Sequence, residues 1–387
     1  MRPEDTAYRH ALDWLFSRTR GGAPRSVQRM TDLRAHLGLP APARVVHVVG
    51  TNGKGTVSAM IQAGLSAAGT RTGLFISPHV EDFRERISID GRPVSRSSVT
   101  AFTADMQRDR NLPPAAFFEL TLALALRWFA EENVGCAVIE AGVGARNDAT
   151  RAVGNTVLSV LTAVATDHAD VLGSTVSDIT RDKTAALSPG RPLVTMVEGE
   201  ALAVARAAVQ AAGSGLVHPA THPDRFTVPE RLAAGGTRLY NQKLAAAALR
   251  TLGTGEAAVE AGISRPPLPG RGERFTVRGR TVILDGAHDP AAARALTGSL
   301  PPGYTLVFGV QEKKQRAALL HELARHAART VTVPVAGNPA PADAAATAAE
   351  GLQQALADTP RGGVVLIAGS LYLAGELRPL LSELAET

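Results

Sequence analysis

The chain has 387 residues, 45% hydrophobic and 20% charged, which is too long for one ordinary domain and apolar enough for a sizeable core. Its net charge of +5 suits an enzyme of anionic ligands, and the lack of a Lys/Arg block interleaved with aromatics argues against a nucleic-acid binder. The single cysteine, Cys136, excludes an internal disulfide framework and a multi-cysteine metal site, and its apolar setting predicts a buried core thiol.

In chain order, apolar spacing predicts helices over 5–20 and 26–37, after which Pro40 and Pro42 break the chain. RVVHVVG predicts a buried strand, TVSAMIQAGLSAAG a helix closed by Gly69, and RTGLFIS a second strand. A long helix in AFFELTLALALRWFAEENV precedes the strands GCAVIEAG and NTVLSVLTAVA. Residues 198–260 read as mostly helical. GISRPPLPGRGE concentrates Pro, Gly and Arg and marks the best domain boundary. Strand and helix signals then alternate again: TVILDGA, a helix over 290–298, YTLVFGV, a helix over 315–328, TVTVPV, a helix over 343–357, and GVVLIAGS. The expected fold is α/β, a P-loop parallel-sheet ATPase domain over 1–266 followed by a smaller Rossmann-like α/β domain over 267–387. The N-terminus MRPEDTAYRH is no signal peptide, and no apolar run reaches about 18 residues, so a cytoplasmic protein with no membrane partner is expected.

The chemistry concentrates first in Gly50-Thr51-Asn52-Gly53-Lys54-Gly55-Thr56. The common phosphate-loop pattern fails here, because Val48 stands where its first glycine belongs and Gly55 separates Lys54 from Thr56. The physical requirements are still met. A glycine-rich loop leaves a buried strand and enters a helix, so backbone N–H groups can face an anion. Lys54 can reach the β- and γ-phosphates, and Thr56 can offer oxygen to Mg²⁺. The rival reading is a glycine-rich turn, which needs no central lysine.

GTNGKGT resembles the phosphate loop of the Mur-ligase superfamily, in the form found in folylpolyglutamate and dihydrofolate synthases. Further segments agree in order: SPHVEDFRERISIDG, FFELTLALALRWFAEENVGCAVIEAGVGARNDAT, TDHADVLGSTVSDITRDKTAAL, LPGRGE, ILDGAHDP and AGSLYLAGELR. The resemblance implies an ATP-dependent ligase that joins an amino acid, L-glutamate by analogy, to a folate- or pteroate-type carboxylate. ATP would activate the acid as an acyl phosphate, and ADP and phosphate would leave. Carried over residue by residue, one Mg²⁺ falls to Thr56, Ser77 and Glu140, and a second to His168 and a carbamylated Lys183. Arg271, Asp285, His288 and Gln242 map to ATP contacts. Lys54, His168, Lys183 and Arg271 are the expected catalytic set. The expected partners are small-molecule carboxylate and amino-acid substrates, with a monomeric chain.

Read alone, each residue has a plainer role: Ser77 as a turn residue before Pro78, Lys183 as a surface lysine, His168 as a structural histidine, Asp285 as a helix cap. Glu140 at a strand's C-terminal end favours function. Departures from the family pattern fall in NQKLAAAA, where Asn241 reads as replacing His and Ala245 as replacing the motif's Asn, at Ala145 for the second glycine of Gly-Gly-Arg, at Asp289 for Asn, and at Glu312-Lys313-Lys314. They motivate a paralogue with the same chemistry on another acid or amine. A nucleotide-binding protein without ligation is the rival from another class, and the retained Mg²⁺ residues argue against it.

Overall fold

The computed structural model describes residues 3–18, 26–166, 169–311, 316–335 and 344–385. The chain divides into two compact units. The first comprises 1–79, 83–233 and 240–265; the second comprises 80–82, 234–239 and 266–387.

The first unit opens with helices α1 (Pro3–Ser17) and α2 (Val27–His36), and then strand β1 (Val45–Val49) leads into α3 (Lys54–Ala67). Strands β2 (Thr72–Phe75), β3 (Ile87–Ile89) and β4 (Arg92–Pro93) follow, then α4 (Arg96–Arg108), α5 (Phe117–Glu131), β5 (Cys136–Glu140) and β6 (Thr156–Leu161). The unit continues with α6 (Ala169–Leu172), α7 (Val176–Thr184), β7 (Leu193–Thr195), α8 (Gly199–Ala211) and β8 (Leu216–Val217). It ends in α9 (Gly236–Thr251), whose first residues cluster with the second unit, and α10 (Glu256–Ile263). The sheet order is β4-β3-β2-β5-β1-β6-β7-β8, which puts β1 inside the sheet with all five of its residues buried. A strand buried on both faces reads as the continuous apolar run seen in the sequence. Helix α3 lies against α10 where two glycines meet. A Cβ on Gly262 would stand 2.7 Å from the Met60 carbonyl oxygen and 2.9 Å from the Gly64 Cα, so only glycine permits this approach.

The second unit holds β9 (Arg271–Val277), β10 (Arg280–Asp285), α11 (Pro290–Thr297), β11 (Tyr304–Phe308), α12 (Arg316–Ala324), β12 (Ala327–Thr332), α13 (Ala348–Asp358), β13 (Val364–Ala368) and α14 (Leu371–Leu384). Its sheet order is β12-β11-β13-β10-β9. One face packs α11 and α12 through Ala293, Leu319 and Leu323, and the other packs α13 and α14 through Leu352, Leu356, Leu373 and Leu377.

The fold is the expected α/β class with a parallel-rich first sheet, and it differs in detail. At one edge β3 pairs antiparallel with β2 and with β4. The β3–β4 turn is Asp90-Gly91, both at positive φ (49° and 77°), the combination that matches strand twist in a two-residue hairpin. The second sheet likewise has an antiparallel edge, β9 on β10, turned at Arg278-Gly279 (φ 50° and 72°). The helix expected over 315–328 ends at Ala324. The Tyr304 hydroxyl donates to the Leu323 carbonyl (2.6 Å), and the chain becomes β12 from Ala327, pairing with β11. Between α8 and α9 the expected helical stretch gives way to β8 and short 3₁₀ turns at Pro223–Phe226 and Glu230–Leu232, where Pro219, Pro223 and Pro229 interrupt it.

Candidate functional site

The loop from Gly50 to Gly53 joins the C-terminal end of β1 to α3. Gly53 caps α3 with φ 87° and, having no side chain, makes no cap bond of its own to the first turn. Residues 162–165 bracket the loop. Thr51 N–H donates to the Ala163 carbonyl (2.8 Å), and Thr51 Oγ1 donates to the Ala165 carbonyl (3.1 Å). Gly50 is held at φ 147°, and a Cβ there would overlap Thr162 Oγ1 and approach the Thr162 backbone N at 3.1 Å. Turning the hydroxyl aside would still leave the Thr162 Cβ at 3.0 Å and its backbone N at 3.1 Å. Gly50→Ala should therefore displace the loop and, where the loop seats a nucleotide as the resemblance implies, weaken ATP binding in a calorimetric titration; an unchanged Kd would show that the loop tolerates the clash.

Lys54, the first residue of α3, donates to the Thr51 carbonyl (3.1 Å) and stands 3.9 Å from Glu140 Oε1. Glu140 ends β5 beside β1 and is 3% exposed. Its other oxygen accepts the Ser77 backbone N–H at 3.0 Å. One cation and one carboxylate are thus placed where the strands of an open α/β sheet gather ligands. Thr56 lies on the first turn of α3. Lys183, on α7, is 3% exposed, and its ammonium donates to the Gly50 carbonyl at 2.7 Å. The structure therefore draws Lys54, Ser77, Glu140, Lys183 and the loop together. His168 lies outside the described residues, as do Glu312, Lys313 and Lys314.

The oxygens of Thr56, Ser77 and Glu140 are a hard donor set that fits Mg²⁺. Lys183 as an ammonium does not fit a metal site, since it carries no lone pair; only its carbamate would. Among the described residues no group of three or more His, Cys, Asp or Glu side chains is placed to hold a metal ion.

Asn241 stands beside the loop. Its carboxamide oxygen lies 2.5 Å from the position a Cβ on Gly53 would take, so the buried amide stands directly against the loop. Ala245, read as the position of the motif's asparagine, is one helical turn further along α9 and is 0% exposed in the core. An asparagine thus stands by the loop at 241, four residues before the position read from the motif. The Gln242 amide donates to the Leu232 (2.8 Å) and Ile263 (3.1 Å) carbonyls, tying α9 to the preceding turn and to α10.

Ala145 also has a physical account. Gly144, at φ 69°, takes the left-handed conformation, whereas Ala145 does not and can carry a methyl; its N–H donates to Asp182 Oδ2 at 2.7 Å.

In the second unit, Asp285 at the end of β10 pairs in register with Arg271 at the start of β9. Burial pushes the Asp285 carboxyl up, opposed by the Arg271 charge and by backbone N–H groups of Ala287 and Gly272. His288 Nδ1 lies 2.9 Å from the Gly286 carbonyl and so carries the hydrogen between them. Asp289 is the N-cap of α11, accepting from Ala291 and Ala292 N–H at 2.9 Å each, a task the motif's asparagine would perform equally well. Cys136 is buried with its thiol pushed up to about 11 by desolvation, which leaves it unreactive. Among the described residues no helix is long and apolar enough to cross a membrane.

These features define a P-loop α/β protein built of two units, with a lysine and a buried carboxylate set at an open helix N-terminus. No family model matches the chain. It is 30% identical over 431 residues to the folylpolyglutamate synthase of Lacticaseibacillus casei, covering 97% of this chain and 98% of that protein. It is 32% identical over 425 residues to the probable bifunctional folylpolyglutamate synthase/dihydropteroate synthase of Haloferax volcanii, covering 96% of this chain and 50% of that protein. The chain thus spans about half the length of the Haloferax relative. Among solved structures, Escherichia coli FolC in complex with DHPP and ADP superposes with a TM-score of 0.88 at 25% identity, over 99% of each chain. The chain belongs to the folylpolyglutamate synthase/dihydrofolate synthase family.

Proposed function

We propose that this protein is an ATP-dependent ligase that joins an amino acid, L-glutamate, to a folate- or pteroate-type carboxylate. The observation that carries the proposal is Lys54, set between the Thr51 carbonyl and the buried Glu140 at an α-helix N-terminus capped by a glycine. A carboxylate is a poor electrophile, so amide formation needs an activated acid, and transfer of the γ-phosphoryl group supplies one as an acyl phosphate. The nucleotide's charge would rest on the loop N–H groups of 50–56 and on Lys54. Thr56, Ser77 and Glu140 would hold Mg²⁺, which neutralises phosphate charge when bound. The binding of ADP by the E. coli relative supports this use of the loop. Asn241 joins the proposed nucleotide contacts, and Gln242 enters as a positioning residue. His168, Lys183 and, in the second unit, Arg271, Asp285 and His288 complete the set on the strength of the resemblance. On the same reading 1–266 is the nucleotide-binding domain and 267–387 the C-terminal domain.

An aromatic shelf beside Ser77 supports a flat heteroaromatic acid. Phe16, 41% exposed, stacks on Phe117 with ring centroids 5.2 Å apart, and its ring lies 6.1 Å from that of His79. Arg86 fixes the edge of this shelf: its Nε donates to His79 Nδ1 (2.7 Å) while its guanidinium lies 5.0 Å from the Phe117 ring centroid.

The test is phosphate release with ATP and Mg²⁺ against pteroates, folates and other acids, crossed with amino acids, with product mass measured. The expected product is the folate or pteroate acid plus one glutamyl residue. No product from any folate–glutamate pair, with product from another pair, would reassign the substrates.

A further inference from the structure

Between β1 and the loop after Glu140 lies a buried polar chain with no part in the reaction proposed above. Asp148, 2% exposed, accepts four bonds. Oδ1 takes Thr150 N–H (3.0 Å) and the Thr150 hydroxyl (2.6 Å); Oδ2 takes the N–H groups of Gly142 (3.1 Å) and Val143 (3.2 Å). A carboxylate offers about four lone-pair sites, so Asp148 is filled and has nothing left for a ligand. Three of its partners are backbone N–H groups, which can only donate. The Thr150 hydroxyl spends its one proton on Asp148, so the contact of 2.8 Å from His47 Nε2 to Thr150 Oγ1 must run from His47 to Thr150. That fixes His47 as the Nε2–H tautomer. It is 2% exposed in the middle of β1, and burial with the nearby Arg151 charge pushes its pKa down to about 4, so it stays neutral.

The chain of bonds therefore has one direction, His47 to Thr150 to Asp148, with the Gly142–Val143 turn donating from the far side. Its two ends are the strand that carries the phosphate loop and the turn that immediately follows Glu140. We infer that His47 and Thr150 are positioning residues that, through Asp148, set the Glu140 turn relative to Lys54. The β1–β5 backbone bonds run as far as Ala141, whose N–H donates to the Val48 carbonyl (2.9 Å); beyond it, Asp148 holds Gly142 and Val143 and Asp182 holds Ala145.

The inference rests on the ligase reading, and the experiment separates the two. Wild-type turnover is measured first on the substrate panel; its absence counts against the ligase and is not attributed to the relay. Thr150→Val keeps shape and removes the hydroxyl. It should lower kcat about 10- to 100-fold, the scale of lost support behind a reacting group, while the calorimetric Kd for ATP and the KM for ATP stay within about three-fold. Thr150→Ser restores the hydroxyl and should return kcat to within about three-fold of wild type. His47→Phe should lower kcat, and adding it to Thr150→Val should cost nothing more, since both break one chain. Should Thr150→Val fail to fold, His47→Phe and Thr150→Ser carry the test, with kcat reduced in the first and retained in the second. Wild-type kcat in Thr150→Val or in a folded His47→Phe, a Ser variant as poor as Val, or multiplicative losses in the double variant would each overturn the inference.

Discussion

Lys54→Ala should remove turnover, by at least about 10³-fold in kcat, the scale attached to losing a cation that meets charge on a transferring phosphoryl group. The argument is positional. Lys54 is the first residue of α3, and its ammonium is already drawn back over the loop by the Thr51 carbonyl. It therefore needs little reorganisation to meet a phosphate seated on the loop amides. Glu140 at 3.9 Å gives it a second tether, and loss of the lysine would leave that buried carboxylate with its cation gone. Two penalties then act at once: weaker charge neutralisation on the nucleotide and the loss of the cation nearest Glu140. Lys54→Arg should recover little, because a planar guanidinium does not fit where one compact ammonium points at a carbonyl. Phosphate release and ATP binding are measured on protein shown by circular dichroism to be folded. Turnover within ten-fold of wild type would remove Lys54 from the phosphate role and with it the main support for the loop reading.

What could be read from the sequence, and what could not, follows from the range of the signals. The buried strands announced themselves, because VVHVV and CAVIE are apolar runs that only a sheet covered on both faces can hold. The loop was legible because glycine, lysine and a hydroxyl at close spacing have few other uses. The antiparallel edges were missed although Asp90-Gly91 and Arg278-Gly279 are local turn signals; the strands they join are short or half-exposed and carry weak alternation. The boundary between α12 and β12 depends on Tyr304, nineteen residues before the carbonyl it holds, so no local pattern could place it. The placing of an asparagine by the loop at 241, and not at 245, was hidden for a similar reason. In an alanine-rich helix, sites four apart look alike in sequence, and only the contact with Gly53 tells them apart. The His47–Thr150–Asp148 chain spans about a hundred residues, and a single buried histidine in a strand gave no hint of its direction.

Lys183→Ala should cost at least about 100-fold in kcat, and short carboxylates should restore part of it. Two roles of this residue can be separated by chemistry. In the structure the side chain is an ammonium, 3% exposed, holding the Gly50 carbonyl at 2.7 Å, and so pins the first glycine of the phosphate loop. Its neighbour Asp182 on the same helix turn pins Ala145, so α7 reaches both the phosphate loop and the loop after Glu140. In the resemblance the same lysine is carbamylated and offers oxygen to a cation. Truncation to alanine removes either function, but rescue discriminates between them. Formate or acetate can replace the oxygens of a carbamate and cannot replace a donor to the Gly50 carbonyl. Methylamine at comparable concentration can do the second and not the first. Recovery of phosphate release with the carboxylates, absent with methylamine and dependent on Mg²⁺, is the expected result. Recovery with methylamine alone would make Lys183 a loop anchor and withdraw the carbamate, and wild-type turnover in Lys183→Ala without additives would withdraw both roles.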